Sequence, residues 1–301
     1  MGHFTAIDDR TQRKFYVDEP DELRGAPLTL ILSLHGGGSV GAWQRQYFPA
    51  YVCANACRLA IATPSCATKE PMRRWVAEAD DAHLRNVVGY MVHRYGADNI
   101  CAFWLVGHSQ GGMTSNRLLN DAFFASRVDG WLSLSGGRIG PIELPPSFFV
   151  PVRGPLPPDV GSTQPNAPRP GRATPPDADI SFVFATGEHE MVALPTTSPW
   201  AEKYGAGARV RLPDVIDTEP GLIYDTLRDG KSNASWGLRP RPGTAQIYVY
   251  PNAHGGRLIA DVVRLDKGHT EGLEPKITAK LIEMMIAAPG GKLRAPARDG
   301  R

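Results

Sequence analysis

A serine flanked by glycines occurs at residues 107–111, in the stretch Gly-His-Ser-Gln-Gly. A serine hydroxyl can attack a carbonyl carbon when a base takes its proton, a carboxylate orients that base, and N–H groups bind the developing oxyanion. The same pattern occurs by chance in many proteins, so it predicts this chemistry only if the chain supplies those partners. Ser109 is the candidate nucleophile, and the alternative is an ordinary hydroxyl in a glycine-rich loop.

The residues around Ser109 favour the catalytic interpretation. The apolar stretch CAFWLV (101–106) precedes the motif and predicts a strand, and MTSNRLLNDAFF (113–124) follows it and predicts a helix. Where a strand meets a helix in a sharp turn, glycines flank the serine because the two backbones pass too close for side chains. The sequence therefore predicts that Ser109 lies exposed on such a turn.

A second glycine-rich stretch, from His35 to Gly38, directly follows the apolar run LTLILSL (28–34). Glycine allows the backbone to approach a bound carbonyl closely enough to donate an N–H. We predict that the N–H groups of Gly37 and Gln110 bind the oxyanion, and Gly38 is the less favoured donor. The competing interpretation of this stretch is a plain turn between a strand and a helix.

Two glutamates are candidates for the orienting carboxylate. Glu188 and Glu190 follow the apolar run ISFVFAT (180–186), in the stretch GEHEMV. A residue a few positions past a strand end can reach inward, whereas one next to the strand is constrained by it. This difference favours Glu190, with Glu188 as the alternative acid.

Two histidines downstream of these glutamates are candidates for the base. His254 lies in NAHGG, the turn of a hairpin predicted from AQIYVYP (245–251) and RLIADVVRLD (257–266). His269 follows the second of these strands and precedes the last predicted helix, EPKITAKLIEMMIAA (274–288). A loop after a strand holds a side chain more rigidly than a hairpin turn does, so we predict His269 as the base.

The elements that would position these residues alternate along the chain. The predicted central strands are near-continuous apolar runs, as in a parallel sheet covered on both faces: 28–34, 59–63, 101–106, 131–135 and 180–186. The clearest helix is ADDAHLRNVVGYMVHRYG (79–96), with Asp80 or Asp81 as its cap and Gly96 at its end. This alternation predicts an α/β fold with a mostly parallel central sheet flanked by helices.

The predicted organisation is a single domain over residues 1–290. Residues 141–178 contain 12 of the 27 prolines, which predicts a surface loop or a lid inserted near the active site. Residues 291–301 are rich in Lys and Arg and are expected to form a flexible tail.

Composition excludes several classes of partner. The formal net charge of +2 gives no basis for binding nucleic acid, and no apolar stretch is long enough for a membrane helix. Cys53, Cys57 and Cys66 lack histidines at zinc-site spacing, so no metal is expected, and their disulfide state is left open. The polar N-terminal stretch predicts a cytoplasmic protein, or a secreted one if a signal has been removed.

Taken together, these stretches resemble the α/β-hydrolase esterases grouped with polyhydroxybutyrate depolymerases and with feruloyl or acetylxylan esterases. The resemblance covers about residues 15–140 and 180–285 and rests on LILSLHGGG, on the stretch from ADDAHLRNVV to GHSQGGM, on GEHEMV and on GHTEGL. The chain departs from that family in having three glycines in the oxyanion loop and a glutamate where aspartate is common, and its polar N-terminal stretch does not predict the signal peptide that many members carry.

The resemblance implies an α/β-hydrolase fold and a Ser109–His269–Glu190 triad with Gly37 and Gln110 as the oxyanion hole. It implies hydrolysis of a small or polymer-derived ester of the hydroxyalkanoate, feruloyl or acetyl type, without a cofactor. The alternatives are a peptidase or acyltransferase of the same fold, or an inactive hydrolase-fold protein that binds a ligand. The expected partner is the ester substrate, and nothing in the pattern favours an oligomeric state.

Overall fold

The central feature of the protein is one large β-sheet. The computed structural model describes residues 1–137, 175–190, 194, 196–224, 237 and 240–294. In this part of the chain the strands are β1 (Gly2–Asp8), β2 (Arg13–Glu19), β3 (Leu28–Leu34), β4 (Leu59–Pro64), β5 (Ile100–His108), β6 (Gly130–Leu134), β7 (Ser181–Gly187), β8 (Val210–Arg211), β9 (Val215–Ile216), β10 (Thr244–Val249) and β11 (Ile259–Arg264).

Helices cover both faces of this sheet. Within the described residues they are α1 (Gly41–Tyr47), α2 (Ala54–Cys57), α3 (Ala77–Tyr95), α4 (Gln110–Leu118), α5 (Ala122–Ala125), α6 (Pro199–Lys203) and α7 (Pro275–Ala287). Short 3-10 turns occur at Ala50–Cys53, Ala97–Asn99 and His254–Gly256. Two apolar clusters, one on each side of the sheet, form the core.

The strand order is β1-β2-β4-β3-β5-β6-β7-β11-β10-β8, with β9 also paired to β10. The six strands from β4 to β11 are parallel, whereas the β1–β2 and β10–β11 hairpins add antiparallel strands at the two edges. Every residue of β3, β4, β6 and β7 is buried, as expected for strands covered on both faces. The predicted fold class, α/β with a mostly parallel sheet, is therefore confirmed.

The predicted strands match observed ones closely. Each of the five apolar runs became a strand, and the predicted terminal hairpin is the β10–β11 pair, with His254 in its turn. The apolar-run pattern does not predict the N-terminal hairpin of β1 and β2, because neither strand has an apolar run longer than three residues. In β2, Phe15 and Val17 are buried, but charged residues precede and follow them in the strand.

The long helix α3 carries one prediction that is wrong. Its apolar face is buried as predicted, and Gly96, with φ of 80°, follows its last residue. However, neither Asp80 nor Asp81 is the N-cap, because the helix begins at Ala77 after Val76. The Asp80 carboxylate instead accepts bonds from the N–H groups of Val76 and Ala67, both at 2.8 Å, and from Arg13. It ties the helix start to the loop after β4.

The C-terminal part of the chain is anchored to the core through residue 294. Helix α7 has Pro275 in its first turn and a buried apolar face. Beyond it, Lys292 donates its backbone N–H to Asp129 and its ammonium to the carbonyls of Ala125 and Val128, and Arg294 donates to Ile100. The predicted flexible tail thus applies at most from residue 295 onwards, and 295–301 lie outside the described residues, as does nearly all of the proline-rich segment 141–178.

The described residues also bear on membrane spanning, metal binding and disulfide bonds. None of their helices has the length and apolarity needed to cross a membrane. They contain no group of three or more His, Cys, Asp or Glu side chains able to hold a metal ion. All four cysteines are free thiols.

Candidate active site

Ser109 occupies a strained turn between β5 and α4. Its φ of 51° and ψ of −118° lie in a region that residues with a side chain rarely adopt. Neighbouring backbone fixes this conformation, because the Ser109 N–H donates to the carbonyl of Leu134 at 2.9 Å and its own carbonyl accepts from Gly112 at 2.9 Å. The turn leaves the hydroxyl at the carboxyl end of the parallel strands, as the sequence predicted.

The glycines of the motif are required by the close passage of three backbones. A Cβ on Gly107 would overlap the backbone of Gly111, and a Cβ on Gly111 would overlap the carbonyl group of Leu34 at the end of β3. These overlaps involve backbone atoms, so no side-chain rotation could relieve them. Residues 107 and 111 must therefore lack side chains for the turn to form.

The predicted nucleophile, base and acid lie in one line of hydrogen bonds. The hydroxyl of Ser109 donates to Nε2 of His269 at 2.9 Å. Nδ1 of His269 donates to the carboxylate of Glu190, at 2.9 Å to Oε2 and 3.1 Å to Oε1. The side chains of His269 and Glu190 are each 8% exposed, so water screens their interaction only weakly. The fold thus brings together three residues that are up to 160 positions apart in the chain.

The alternative acid, Glu188, and the alternative base, His254, take no part in this line of hydrogen bonds. Glu188 is exposed, and its carboxylate accepts from the backbone N–H of Asp266 at 2.8 Å. His189 pairs with the side chain of Asp266, and His254 sits in the β10–β11 turn beside Gly205.

The predicted oxyanion donors flank the Ser109 hydroxyl. A Cβ on Gly36 would lie 3.3 Å from Cβ of Ser109, and one on Gly37 would lie 3.9 Å from Cβ of Gln110, so the two segments run side by side. Within the described residues, the N–H groups of Gly37 and Gln110 have no protein acceptor. The N–H of Gly38, the less favoured donor, already donates to the backbone carbonyl of Arg73 at 2.8 Å.

A loop at residues 66–75 lies against the glycine stretch, a contact that no local sequence pattern predicts. The side-chain oxygen of Gln110 accepts from the Trp75 N–H at 3.1 Å, and the Trp75 indole donates to the carbonyl of His35 at 2.8 Å. Met72 is 54% exposed, and its methyl group would lie 3.7 Å from a Cβ on Gly37. Gln110 therefore fixes this loop through its side chain, in addition to presenting its backbone N–H.

Buried charges support the loop that carries His269. Glu274 forms ion pairs with Arg264 and Lys267, both at 3.0 Å, and Lys267 also lies 3.4 Å from Glu271. Arg264 donates further bonds to the carbonyls of Glu271 and Gly272. Burial alone would raise the pKa of Glu274, but the two cations outweigh it and hold that pKa below its ordinary value. The sequence signal for this network is the spacing of the charged residues between positions 264 and 274.

Comparison with known proteins identifies the fold. No family model and no curated protein matches the chain. TT1662 from Thermus thermophilus is 18% identical, with a TM-score of 0.53 and coverage of 98% of this chain and 100% of that one. The acetyl xylan esterase from Aspergillus awamori is 12% identical, with a TM-score of 0.55 and coverage of 94% and 100%. At these identities the likeness shows the fold, which is the α/β-hydrolase fold.

Replacing Gly111 should disrupt the turn that holds Ser109. Gly111→Ala places a Cβ against the Leu34 carbonyl, so β3 and α4 must separate, and we expect a loss of about 1–3 kcal/mol or more in the free energy of unfolding. Gly89→Ala is the matched control. It lies exposed in α3 with nothing within 4 Å of the new Cβ, so it should add up to about 1 kcal/mol. Denaturant unfolding of both variants checks this, and equal effects would contradict the argument.

Removing one charge from the buried network should cost far more than removing an exposed one. Glu274→Gln leaves two buried cations, Arg264 and Lys267, with Glu271 as the one anion of the network, and we expect a loss of about 3–5 kcal/mol. Glu283→Gln, in helix α7, breaks a pair with Lys280 in which the carboxylate is 65% exposed, and should cost less than about 1 kcal/mol. Urea unfolding curves at neutral pH measure both. A loss below 1 kcal/mol for Glu274→Gln would refute the importance of the network.

Proposed function

We propose that the protein is a serine hydrolase that cleaves carboxylic esters through an acyl-enzyme, with Ser109 as nucleophile, His269 as base and Glu190 as acid. The observation that carries the proposal is the continuous hydrogen-bonded line from Ser109 Oγ through His269 to Glu190, with 2.9 Å at each step. The line begins at a strained turn, beside the N–H groups of Gly37 and Gln110, for which the described part of the chain offers no acceptor. A hydroxyl, a base and an oriented carboxylate in this arrangement fit acyl transfer.

In the first half of the reaction the enzyme is acylated. His269 Nε2 takes the proton of Ser109 as Oγ bonds to the carbonyl carbon, and the π electrons move to the carbonyl oxygen. The N–H groups of Gly37 and Gln110 stabilise that oxyanion, each by about 3 kcal/mol in sites of this kind. Glu190 holds the imidazole in the required tautomer and stabilises its positive charge. The C–O bond to the alcohol then breaks, and His269 protonates the departing oxygen.

In the second half, water releases the acyl group. His269 removes a proton from water, the hydroxide oxygen bonds to the acyl carbon, and the same two N–H groups stabilise the second oxyanion. The bond to Ser109 Oγ breaks as His269 returns the proton to it. The products are a carboxylic acid and the free serine, and every step uses groups of the chain and water.

The surroundings of Gly37 favour an apolar acyl group. The exposed thioether of Met72 lies beside the glycine whose N–H would bind the carbonyl oxygen, so a bound acyl chain would meet an adaptable apolar surface there. Acetyl, hydroxyalkanoyl and feruloyl groups each contain an apolar portion that could contact this thioether. The acetyl xylan esterase that shares the fold is named for an acetyl ester, which places acetyl esters first among the substrates to be tried.

The nucleophile is tested by Ser109→Ala. We expect kcat for p-nitrophenyl acetate to fall by at least about 10³-fold, and covalent labelling by a fluorophosphonate to be lost. Ser126→Ala, an exposed serine after α5, is the matched control and should keep full activity and labelling. Intact-mass measurement after labelling and initial rates check this. If Ser109→Ala is labelled as fast as the unchanged protein, Ser109 is not the nucleophile.

The two glutamates provide a paired test of the acid. Glu190→Gln removes the charge that stabilises the imidazolium and permits the wrong tautomer of His269, so kcat should fall by about 10²- to 10⁴-fold. Glu188→Gln alters a carboxylate that faces Asp266, and should change kcat by less than about twofold by the same reasoning. Steady-state kinetics on one ester compare the two variants. The reverse order of effects would assign the role to Glu188.

A further inference from the structure

His108 lies inside the serine motif but has no role in the reaction as derived above. Its side chain is buried, and Nε2 donates to the backbone carbonyl of His269 at 2.9 Å. The hydroxyl of Tyr47 donates to the same carbonyl at 3.3 Å. The backbone of the proposed base is therefore held by two side chains, one of which belongs to the residue next to Ser109.

The ring of His108 also fills the space between the loops of the site. Its centroid lies 4.0 Å from that of Tyr47 and 4.9 Å from that of His269. A Cβ on Gly36 would lie only 2.8 Å from its Nδ1, so the glycine loop comes directly against the other side of the ring. His108 is thus packed between the loop of the proposed oxyanion donor, helix α1 and the loop of the base.

The ring of His108 is neutral, which suits a residue that lies next to the proposed base. Burial, reinforced by the nearby His269, lowers the pKa of His108 well below its ordinary value, so the ring is neutral. Since its partner at Nε2 is a carbonyl that can only accept, the single ring hydrogen lies on Nε2. A neutral ring adds no positive charge against the imidazolium that forms on His269 during acyl transfer.

We propose that His108 is a positioning residue: by donating to the His269 carbonyl, it fixes the base relative to the hydroxyl of the adjacent Ser109. The inference rests on the proposed function. Ser109 and His108 are covalently linked, so the segment that presents the nucleophile also holds the backbone of the base. The 2.9 Å separation of Oγ and Nε2 then depends on one short stretch of chain rather than on two independent loops.

Substitutions that keep or remove the donor test this role. His108→Phe keeps a ring against Tyr47 and His269 but removes the donor, and kcat should fall about 10- to 100-fold with KM little changed, because misplacement affects the chemical step. His108→Gln can place an amide N–H at the position of Nε2 and should recover most of kcat. Tyr47→Phe removes the longer of the two bonds and should cost less than His108→Phe.

A second pair covers the case in which His108→Phe fails to fold. His108→Asn and His108→Gln are both polar and uncharged, but the shorter amide of Asn stops at the position of Nδ1 and cannot reach the His269 carbonyl. We expect His108→Gln to exceed His108→Asn in kcat at equal folded fraction, measured by circular dichroism. His83→Phe, a buried histidine bonded to Asp8 in the α3 region, is the matched control and should lower Tm without changing kcat.

The outcomes separate this inference from the proposed function. If the unchanged protein hydrolyses esters while His108→Phe lowers Tm and keeps kcat, His108 is merely structural and the inference is overturned. It is also overturned if Gln and Asn are equally impaired, since the donated bond would then be irrelevant. If the unchanged protein neither reacts with a fluorophosphonate nor hydrolyses esters, the proposed function fails, and the positioning role falls with it.

Discussion

The close passage of three backbone segments at the end of the central strands is the constraint on which the site depends. Gly107 and Gly111 allow β5 and α4 to approach each other and the end of β3 within distances that no Cβ would permit. That packing forces Ser109 into its left-handed conformation. It also places the Gln110 N–H in the first turn of α4, where a helix has no internal acceptor for it. One turn therefore supplies both the proposed nucleophile and one proposed oxyanion donor.

The second half of the site is held by charge rather than by close packing. Two buried cations and two buried anions surround the loop that carries His269: Arg264, Lys267, Glu271 and Glu274. Such networks contribute little net stability compared with apolar packing, since desolvation offsets most of their attraction. The network instead holds the loop in position. Arg264 donates to two successive carbonyls of the loop, so a displacement of the loop would leave buried charges unpaired. His108 then joins this loop to the serine turn.

The sequence predicted the parts of the structure that follow from local patterns. Apolar runs predicted the central strands, and Gly-x-Ser-x-Gly predicted the turn, because these depend on residues within a few positions of one another. Ser109, Glu190 and His269 were predicted together from the resemblance and because each follows a predicted strand, and the carboxyl ends of parallel strands meet at one edge. The roles of Asp80, His108 and the side chain of Gln110 could not be predicted, because their partners lie on other elements and local periodicity carries no information about them.

The choice between Glu188 and Glu190 shows where local reasoning stops. The two residues have the same parity, so an extended chain would present both to the same side. The backbone does not stay extended over these residues. The N–H of Glu188 donates to the carbonyl of Arg264 and continues the β7–β11 pairing, and the N–H of His189 donates to the carbonyl of Lys267. The N–H of Glu190 instead donates to the carbonyl of Gly187 and closes a turn. Gly187 permits the turn, because a Cβ there would overlap the carbonyl of Lys267. The contact between β7 and the base loop, more than 75 residues away in sequence, is therefore what turns Glu190 towards His269.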